Sequence, residues 1–416
     1  MTGRFGVEEG LMSIDQALAR LHQRLAPAVE TETVPLRQAL FRILAEDVVA
    51  GVNVPPHDNS AMDGWAFRHA DLPPANLADT GRLPVVGRVA AGHPFEGELP
   101  KGGAVRIFTG APMPSGADTV AMQEECREDG GAVILPTRLK RGDNAREAGE
   151  DIARGSVALH AGCRLRPQEL GVAAAMGRAE IEVYRPLRAA IFSTGDEIRE
   201  PGTVLAPGCI FDTNRFTAGA LLRSLGAEVT DLGILPDKLD IIRDALGDAA
   251  AGHDLILTSG GVSVGDEDHV KPAVLAQGSL DFWRLAIKPG RPVALGEVAG
   301  TPFIGLPGNP VAVMVTFMLI ARPMVLRLMG ATETGLTRFP VEAGFAFRHK
   351  QGRREYLRAR LAHADGRLVA AKFPSDGSGV LTSMTWSDGL VDIPEDKGDI
   401  APGDMVDFVS YAEMMR

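Results

Sequence analysis

The sequence predicts an α/β protein with β-rich appendages, and three observations carry that reading. Over residues 188–330, apolar runs of strand length alternate with segments of helical periodicity, the signature of βαβ units and of a parallel sheet with helices on both faces. Three of those runs end in glycine turns, at Thr194-Gly195, Ser259-Gly260-Gly261 and Pro307-Gly308-Asn309. On either side, residues 83–139 and the chain after Gly330 read as short strands punctuated by glycine and proline.

The bulk properties bound the answer. At 416 residues the chain has room for two to four domains. With 45% hydrophobic and 23% charged residues it has an ordinary globular composition. A net charge of −11 disfavours DNA or an anionic membrane as the main partner. Three scattered cysteines, Cys126, Cys163 and Cys209, form no C-x-x-C pair, which argues against structural zinc. Few cysteines and no signal-peptide pattern lead us to expect a cytoplasmic protein. The longest apolar run, residues 311–321, stops at Arg322-Pro323 and is too short to span a bilayer.

In chain order, Ser13 and Gln16 have capping-box spacing before a helix whose apolar face is Ile14, Leu18, Leu21 and Leu25. Residues 35–44 read as a second short helix, and residues 47–54 as extended chain. Next comes PPHDNSAMDGWAF, residues 55–67, where two prolines stiffen a loop dense in polar groups and Asp63-Gly64 presents a carboxylate. The small β-rich segment that follows contains RIFTGAPMPSGADTV, with Thr109 at the start of a stiff loop, and then NAREAGEDI with Arg146, a candidate oxyanion ligand. Pro167 opens a short helix that Gly177 stops.

Four strands are expected in the βαβ region, at residues 189–192, 228–232, 255–257 and 303–306. Helices follow Asp212-Thr213, Leu235-Pro236-Asp237 and Pro307-Gly308-Asn309, the last with Asn309 as N-cap and Pro310 as first helical residue. In a parallel sheet the three glycine turns share one edge, where open α/β sheets bind phosphate-bearing ligands. Around the central strand the sequence is HDLILTSGGVSVGDEDHV; Asp266 stands where a Walker loop needs lysine, so its carboxylates suit a hard cation bridging to phosphate. Lys288 and Arg291, in IKPGRP, add cations near that edge. Beyond residue 335 we expect a small all-β unit, a barrel or a sandwich.

Six motifs, PPHDNSAMDGWA, RIFTGAPMPSGADTV, FSTGDEI, TSGGVSVGDEDHVK, IKPGRP and GLPGNPVAVMVTF, together resemble the molybdopterin molybdenumtransferase family, related to the E domain of gephyrin. The resemblance runs from about Ser13 to the C-terminus. It implies an elongated four-part subunit: an N-terminal helical and linker part (11–54 and 150–186), a β-rich insert (55–149), a central α/β molybdopterin-binding domain (187–330) and a barrel-like C-terminal β domain (335–416). It also implies insertion of molybdate into adenylylated molybdopterin with release of AMP, dependence on Mg²⁺, and a homodimer with sites between subunits. The molybdopterin adenylyltransferase is a candidate partner.

Carried over by position, the resemblance implies catalytic roles for Asp63, Thr109, Glu197, Asp237 and Asp268, and metal ligation by Asp63, Glu197, Asp266 and Asp268. Substrate contacts would come from Arg146, Gly260, Gly261, Ser263, Lys288, Arg291, Pro307, Gly308, Asn309 and Ser383. The chain departs from the family pattern at His57, Trp65, Arg284 and Ala312; Ala312 lacks a hydroxyl that relatives place after Gly-Asn-Pro-Val. Two other readings share these features: molybdopterin adenylylation, and a non-catalytic scaffold of the gephyrin type.

Overall fold

The strand Arg188–Thr194 sets the central architecture. Successive side chains on a strand point to opposite faces. Ala189 and Ile191 therefore enter one core and Ala190 and Phe192 another, all fully buried. A computed structural model describes residues 11–76, 80–260, 269–364 and 366–415.

The central sheet has six strands in the order Glu228–Leu235, Arg188–Thr194, Leu255–Ser259, Thr301–Leu306, Pro292–Val298 and Gly278–Arg284. The first four run parallel, whereas the last two pair antiparallel at one edge. The expectation of a purely parallel sheet thus holds for its centre and fails at its edge. Residues 278–298 form a returning ribbon around Lys288-Pro289-Gly290-Arg291, so no crossover helix separates them. Helices Leu239–Gly252 and Val270–Leu275 cover one face through Ile242, Leu246, Val270 and Val274. Helix Asn214–Ser224 and the helical run from Pro310 to Leu328 cover the other.

That last run, 19 residues of mean hydropathy 1.9, is long and apolar enough to cross a membrane, but 89% of it is buried inside the protein. The apolar run read from the sequence ends at Arg322-Pro323, but the helix continues to Leu328 and is longer than that run. A π-helical turn over Phe317–Ala321 precedes Pro323. The wider turn changes the hydrogen-bond spacing just where proline lacks an N–H.

The N-terminal helix Ile14–Arg24 forms with its capping box complete: Gln16 N–H donates to Ser13 Oγ at 3.2 Å, and Ser13 N–H to Gln16 Oε1 at 3.0 Å. It buries Ile14, Ala17 and Leu21 in the larger core of the central domain. The second helix expected over residues 35–44 is only one 3₁₀ turn, Leu36–Gln38. Tertiary pairing overrides its local pattern, because the preceding strand Thr31–Pro35 zips antiparallel onto Glu180–Tyr184. Val48–Val49 likewise pairs with Val157–Leu159. The chain therefore leaves this region and returns to it. Between the two crossings lies a six-stranded sheet in the order Thr119–Met122, Gly64–Phe67, Ala104–Ile107, Thr80–Val89, Ala132–Pro136 and Arg127–Asp129.

The C-terminal region resolves the choice between barrel and sandwich. Strands Arg354–Ala364, Arg367–Lys372, Phe339–Ala343, Met405–Ser410 and Gly389–Ile393 pair in that order, and Gly389–Ile393 pairs back onto Arg354–Ala364. The sheet is a closed barrel, which leaves no free edge among these strands. Ile287–Lys288, from the central domain, adds alongside Arg354 and Glu355 and ties the two units together.

Candidate functional site

The three parallel strands that end in glycine turns do converge. Their ends border a cleft of about 640 Å³, lined by residues that include Thr194, Gly195, Glu197, Asp237, Ser259, Gly260, Gly308 and Asn309. Gly260 has φ +87°, which side-chain-bearing residues rarely adopt, and lets the chain leave the strand sharply. At Gly195, φ +141°, a Cβ would come within 2.7 Å of Glu197 Oε2, so glycine here leaves room for that carboxylate.

Several polar atoms around the cleft are buried and have no protein partner: Asp237 Oδ1, Asn214 Oδ1, Ser193 Oγ and Thr194 Oγ1. Buried polar groups are normally satisfied, so such a cluster in one cleft points to a polar ligand. Asn214 is oriented by its own amide, which donates to Gly308 O at 2.6 Å and leaves Oδ1 as a fixed acceptor. Asp212, also on the wall, is instead committed to Arg215, whose N–H and Nε reach it at 3.2 and 3.0 Å. Arg215 further binds Asp231 and Glu200 and so ties the segment after the Thr194–Asp196 turn to the helix start and to strand Glu228–Leu235.

The helix N-terminus at Pro310 offers fewer free donors than its position suggests. Pro310 has no N–H, and Val311 N–H donates to Ser378 O at 3.0 Å from the barrel. The same barrel loop supplies Gly379 and Leu381 to the cleft wall. Arg358 holds it from beneath, donating to Ser375 O at 2.7 Å and Gly377 O at 3.1 Å. Ser383 belongs to this support. It is fully buried, donates to Val380 O at 2.6 Å and accepts from Arg358 Nε at 3.1 Å. It does not line the cleft.

Asp63, Thr109 and Arg146 lie elsewhere, in the stretch between the strand pairings Val48–Val49 and Val157–Leu159. Thr109 donates to Asp63 Oδ1 from both its backbone N–H, at 2.8 Å, and its hydroxyl, at 2.7 Å. Those bonds, the backbone one first, hold the exposed Asp63 carboxyl below its ordinary pKa. Arg146 follows Ala145 in a short strand paired with Asn59–Ser60, so the loops carrying Asp63 and Arg146 share one support. Its side chain is exposed, 3.5 Å from Glu150. None of these three lines the cleft of its own chain.

Lys288 and Arg291 do not line the cleft either. Lys288 Nζ pairs with the buried carboxylate of Glu355 at 3.0 Å, and Arg291 is exposed. Pro307 is buried and its carbonyl accepts from Ser259 Oγ at 3.3 Å. Ala312 is buried in the first turn of the long helix, with its carbonyl beside Gly290. Gly261, Ser263, Asp266 and Asp268 lie outside the described residues. Among the described residues, no three His, Cys, Asp or Glu side chains are grouped to hold a metal ion. Sequence reasoning missed Asn214 and Asp212 as cleft residues; FDTNR read only as a helix start.

Three family models match in succession: MoeA N-terminal region (domain I and II) over residues 12–177, probable molybdopterin binding domain over 190–327, and MoeA C-terminal region (domain IV) over 340–411. A molybdopterin molybdenumtransferase of Haemophilus influenzae is 36% identical over 408 residues, covering 97% of this chain and 100% of its own length. The chain belongs to the MoeA family. A second MoeA relative, molybdopterin molybdenumtransferase 2 of Mycobacterium tuberculosis, is 37% identical over 397 residues, 92% of this chain and 96% of that protein. The MoeA fold is matched by the crystal structure of a molybdopterin biosynthesis protein from Pyrococcus horikoshii OT3, with TM-score 0.80 and 29% identity over 97% of this chain and 100% of that one.

Proposed function

We propose that this chain is a molybdopterin molybdenumtransferase that inserts molybdate into adenylylated molybdopterin and releases AMP. The observation that carries the reading is the cleft at the carboxyl edge of the central sheet, where glycine turns, a helix start and unpartnered oxygen atoms face one ligand-sized space. Relatives matched over 97% and 92% of this chain are named molybdopterin molybdenumtransferases, so adenylylation and a purely scaffolding role are not favoured.

The geometry suggests a division of labour. The turns at Gly195, Gly260 and Gly308 let phosphate groups approach the backbone closely. Ser193 and Thr194 hydroxyls and the Asn214 amide oxygen orient polar atoms of the pterin nucleotide, while Ile198, Ile210 and Phe211 form an apolar wall for its rings.

Mg²⁺ fits this donor set. The free atoms are all oxygens, and Asp237 Oδ1 is a buried carboxylate oxygen with no protein partner. Glu197 and Asp237 would hold the cation from this chain, with Asp63, Asp266 and Asp268 as further proposed ligands. When bound, it would neutralise phosphate charge and polarise the bond to be cut.

Asp63, Thr109 and Arg146 reach a cleft only if another copy presents them, and this supports a homodimer with each site completed across the interface. We propose also that the protein is cytoplasmic, that it receives its substrate from a molybdopterin adenylyltransferase, and that residues 55–149 and 187–330 act as separate domains of the site.

The test is a single-turnover assay with adenylylated molybdopterin, molybdate and Mg²⁺, following AMP release and activation of an apo-molybdoenzyme. Molybdate-dependent release, lost in Asp63→Asn, Glu197→Gln and Asp268→Asn while folding survives, is expected. Formation of adenylylated pterin from ATP without molybdate-dependent AMP release would overturn the proposal.

A further inference from the structure

The loop that carries Thr109 leaves strand Ala104–Ile107, whose third residue is Arg106. This strand pairs antiparallel with Gly64–Phe67, and the register sets Trp65 opposite Arg106. Asp63 lies just before the second strand, and Phe108 and Thr109 just after the first. Arg106 therefore stands immediately behind the place where Asp63 and Thr109 meet.

Its guanidinium touches both arms of that junction. Nη1 donates to Gly64 O at 2.9 Å, on the peptide unit next to Asp63. Nη2 donates to Gln123 Oε1 at 2.6 Å, and Gln123 in turn donates its N–H to Asp63 O at 3.0 Å. The guanidinium carbon lies 4.6 Å from the Trp65 ring and 4.8 Å from the ring of Phe108, the residue before Thr109. Residues two apart on a strand share a face, and so do residues directly opposite, which lets one side chain reach all of these. Arg88, level with Arg106 on the neighbouring parallel strand, lies 4.7 Å from the Phe108 ring. Among the described residues Arg106 has no ion pair. Its bonds go to neutral oxygens and its faces to aromatic rings, contacts that fix geometry.

We infer that Arg106 is a positioning residue for the Asp63–Thr109 pair. Its planar fork, stacked on Trp65 and Phe108, holds the two chain ends in the arrangement that lets Thr109 reach the Asp63 carboxylate. The inference rests on the reading that Asp63 and Thr109 serve the reaction. Lysine does not replace this arginine, because an ammonium keeps the charge and loses the planar fork.

The test joins a structural readout to a kinetic one. Protein labelled with ¹⁵N-threonine reports the Thr109 amide, assigned by its absence in Thr109→Val. Single-turnover AMP release over a range of nucleotide concentrations separates rate from binding. Arg106→Gln, Arg106→Lys and Gln123→Ala are set beside Arg68→Gln, which loosens the chain just past the far end of strand Gly64–Phe67, where Arg68 donates to Gly116 O at 3.2 Å. In both Arg106 variants the Thr109 amide resonance is expected to shift and its exchange with solvent to quicken about tenfold. AMP release should slow about tenfold, with the half-saturating nucleotide concentration little changed, since the cleft is built from other elements. Gln123 is exposed, so Gln123→Ala is expected to fold even if the Arg106 variants do not, and to give the same change in smaller measure. Arg68→Gln should leave the Thr109 amide as in wild type. An unshifted amide in Gln123→Ala and in every Arg106 variant that folds, an equal shift in Arg68→Gln, or full recovery by Arg106→Lys would overturn the inference. A shifted amide in a protein whose wild type releases no AMP would count against the proposed function and leave the placement of Asp63 by Arg106 standing.

Discussion

Asp63 and Thr109, 46 positions apart in the chain, meet through two hydrogen bonds to a single carboxylate oxygen, at 2.7 and 2.8 Å. The pair fixes the carboxylate on an exposed loop and keeps it ionised. Thr109→Val removes the hydroxyl bond and keeps the backbone one. The Asp63 pKa is expected to rise toward its ordinary 3.8, read by carbon-detected NMR titration. AMP release should fall with the protein still folded. An unchanged titration would mean that the hydroxyl does not act on Asp63.

Asp237 offers the sharpest test of the cleft. Asp237→Asn keeps its size and removes its charge from a buried oxygen that has no protein partner. We expect AMP release to drop by at least about tenfold, the scale of one charge-assisted hydrogen bond. The melting temperature should hold or rise, since a desolvated charge is lost. A variant with wild-type turnover would remove Asp237 from the site.

Cation dependence follows from the all-oxygen donor set. Exhaustive chelation should abolish AMP release, and Mg²⁺ or Mn²⁺ should restore it while Zn²⁺ restores it poorly, because hard cations prefer oxygen ligands. Full activity after chelation would contradict the proposed ligands.

Acid stability should depend on Asp254. Its side chain is only 8% exposed, and burial by itself would raise its pKa. Bonds from Arg185, at 2.6 and 2.9 Å, and from Arg188 more than offset that and hold the carboxyl well below 3.8 in the folded protein. A lowered folded pKa gives stability that is present above the unfolded value and lost as pH falls through the folded one. The contribution is therefore complete near neutrality and declines below about pH 3.8. Asp254→Asn should cost about 3–5 kcal/mol at pH 7, since it leaves Arg185 short of a partner, and should flatten the acid limb of a denaturation series. An acid limb that matches wild type would refute the assignment.

Ser383 separates a support role from a substrate role. Ser383→Ala should destabilise the protein by about 1–3 kcal/mol by leaving Arg358 Nε unsatisfied in a buried setting. KM for the pterin nucleotide should change little, because the hydroxyl does not reach the cleft. A large rise in KM at unchanged stability would return Ser383 to the substrate.

Much of the architecture was legible in the residues. Alternating burial along Arg188–Thr194, the Ser13–Gln16 capping box and the glycine turns are short-range patterns, and short-range sterics and hydrogen bonding enforce them. Six motifs in order were enough to indicate the family. The misreadings have different causes. The missing helix at 35–44 was decided by a strand partner distant in sequence, Glu180–Tyr184, and the antiparallel edge of the central sheet by a ribbon that returns without a crossover helix.

The sequence by itself determined the fold class and the glycine turns that border the carboxyl-edge cleft, because strand period and turn chemistry are local properties. Only the tertiary structure decided which polar and charged groups already have a partner. Lys288 is spent on Glu355, Ser383 on Arg358 and Asp212 on Arg215, whereas Asp237 and Asn214 keep unpartnered oxygens in the cleft. A residue's type states what bonds it can make. Whether it has already made them depends on neighbours that the chain brings together only when it folds.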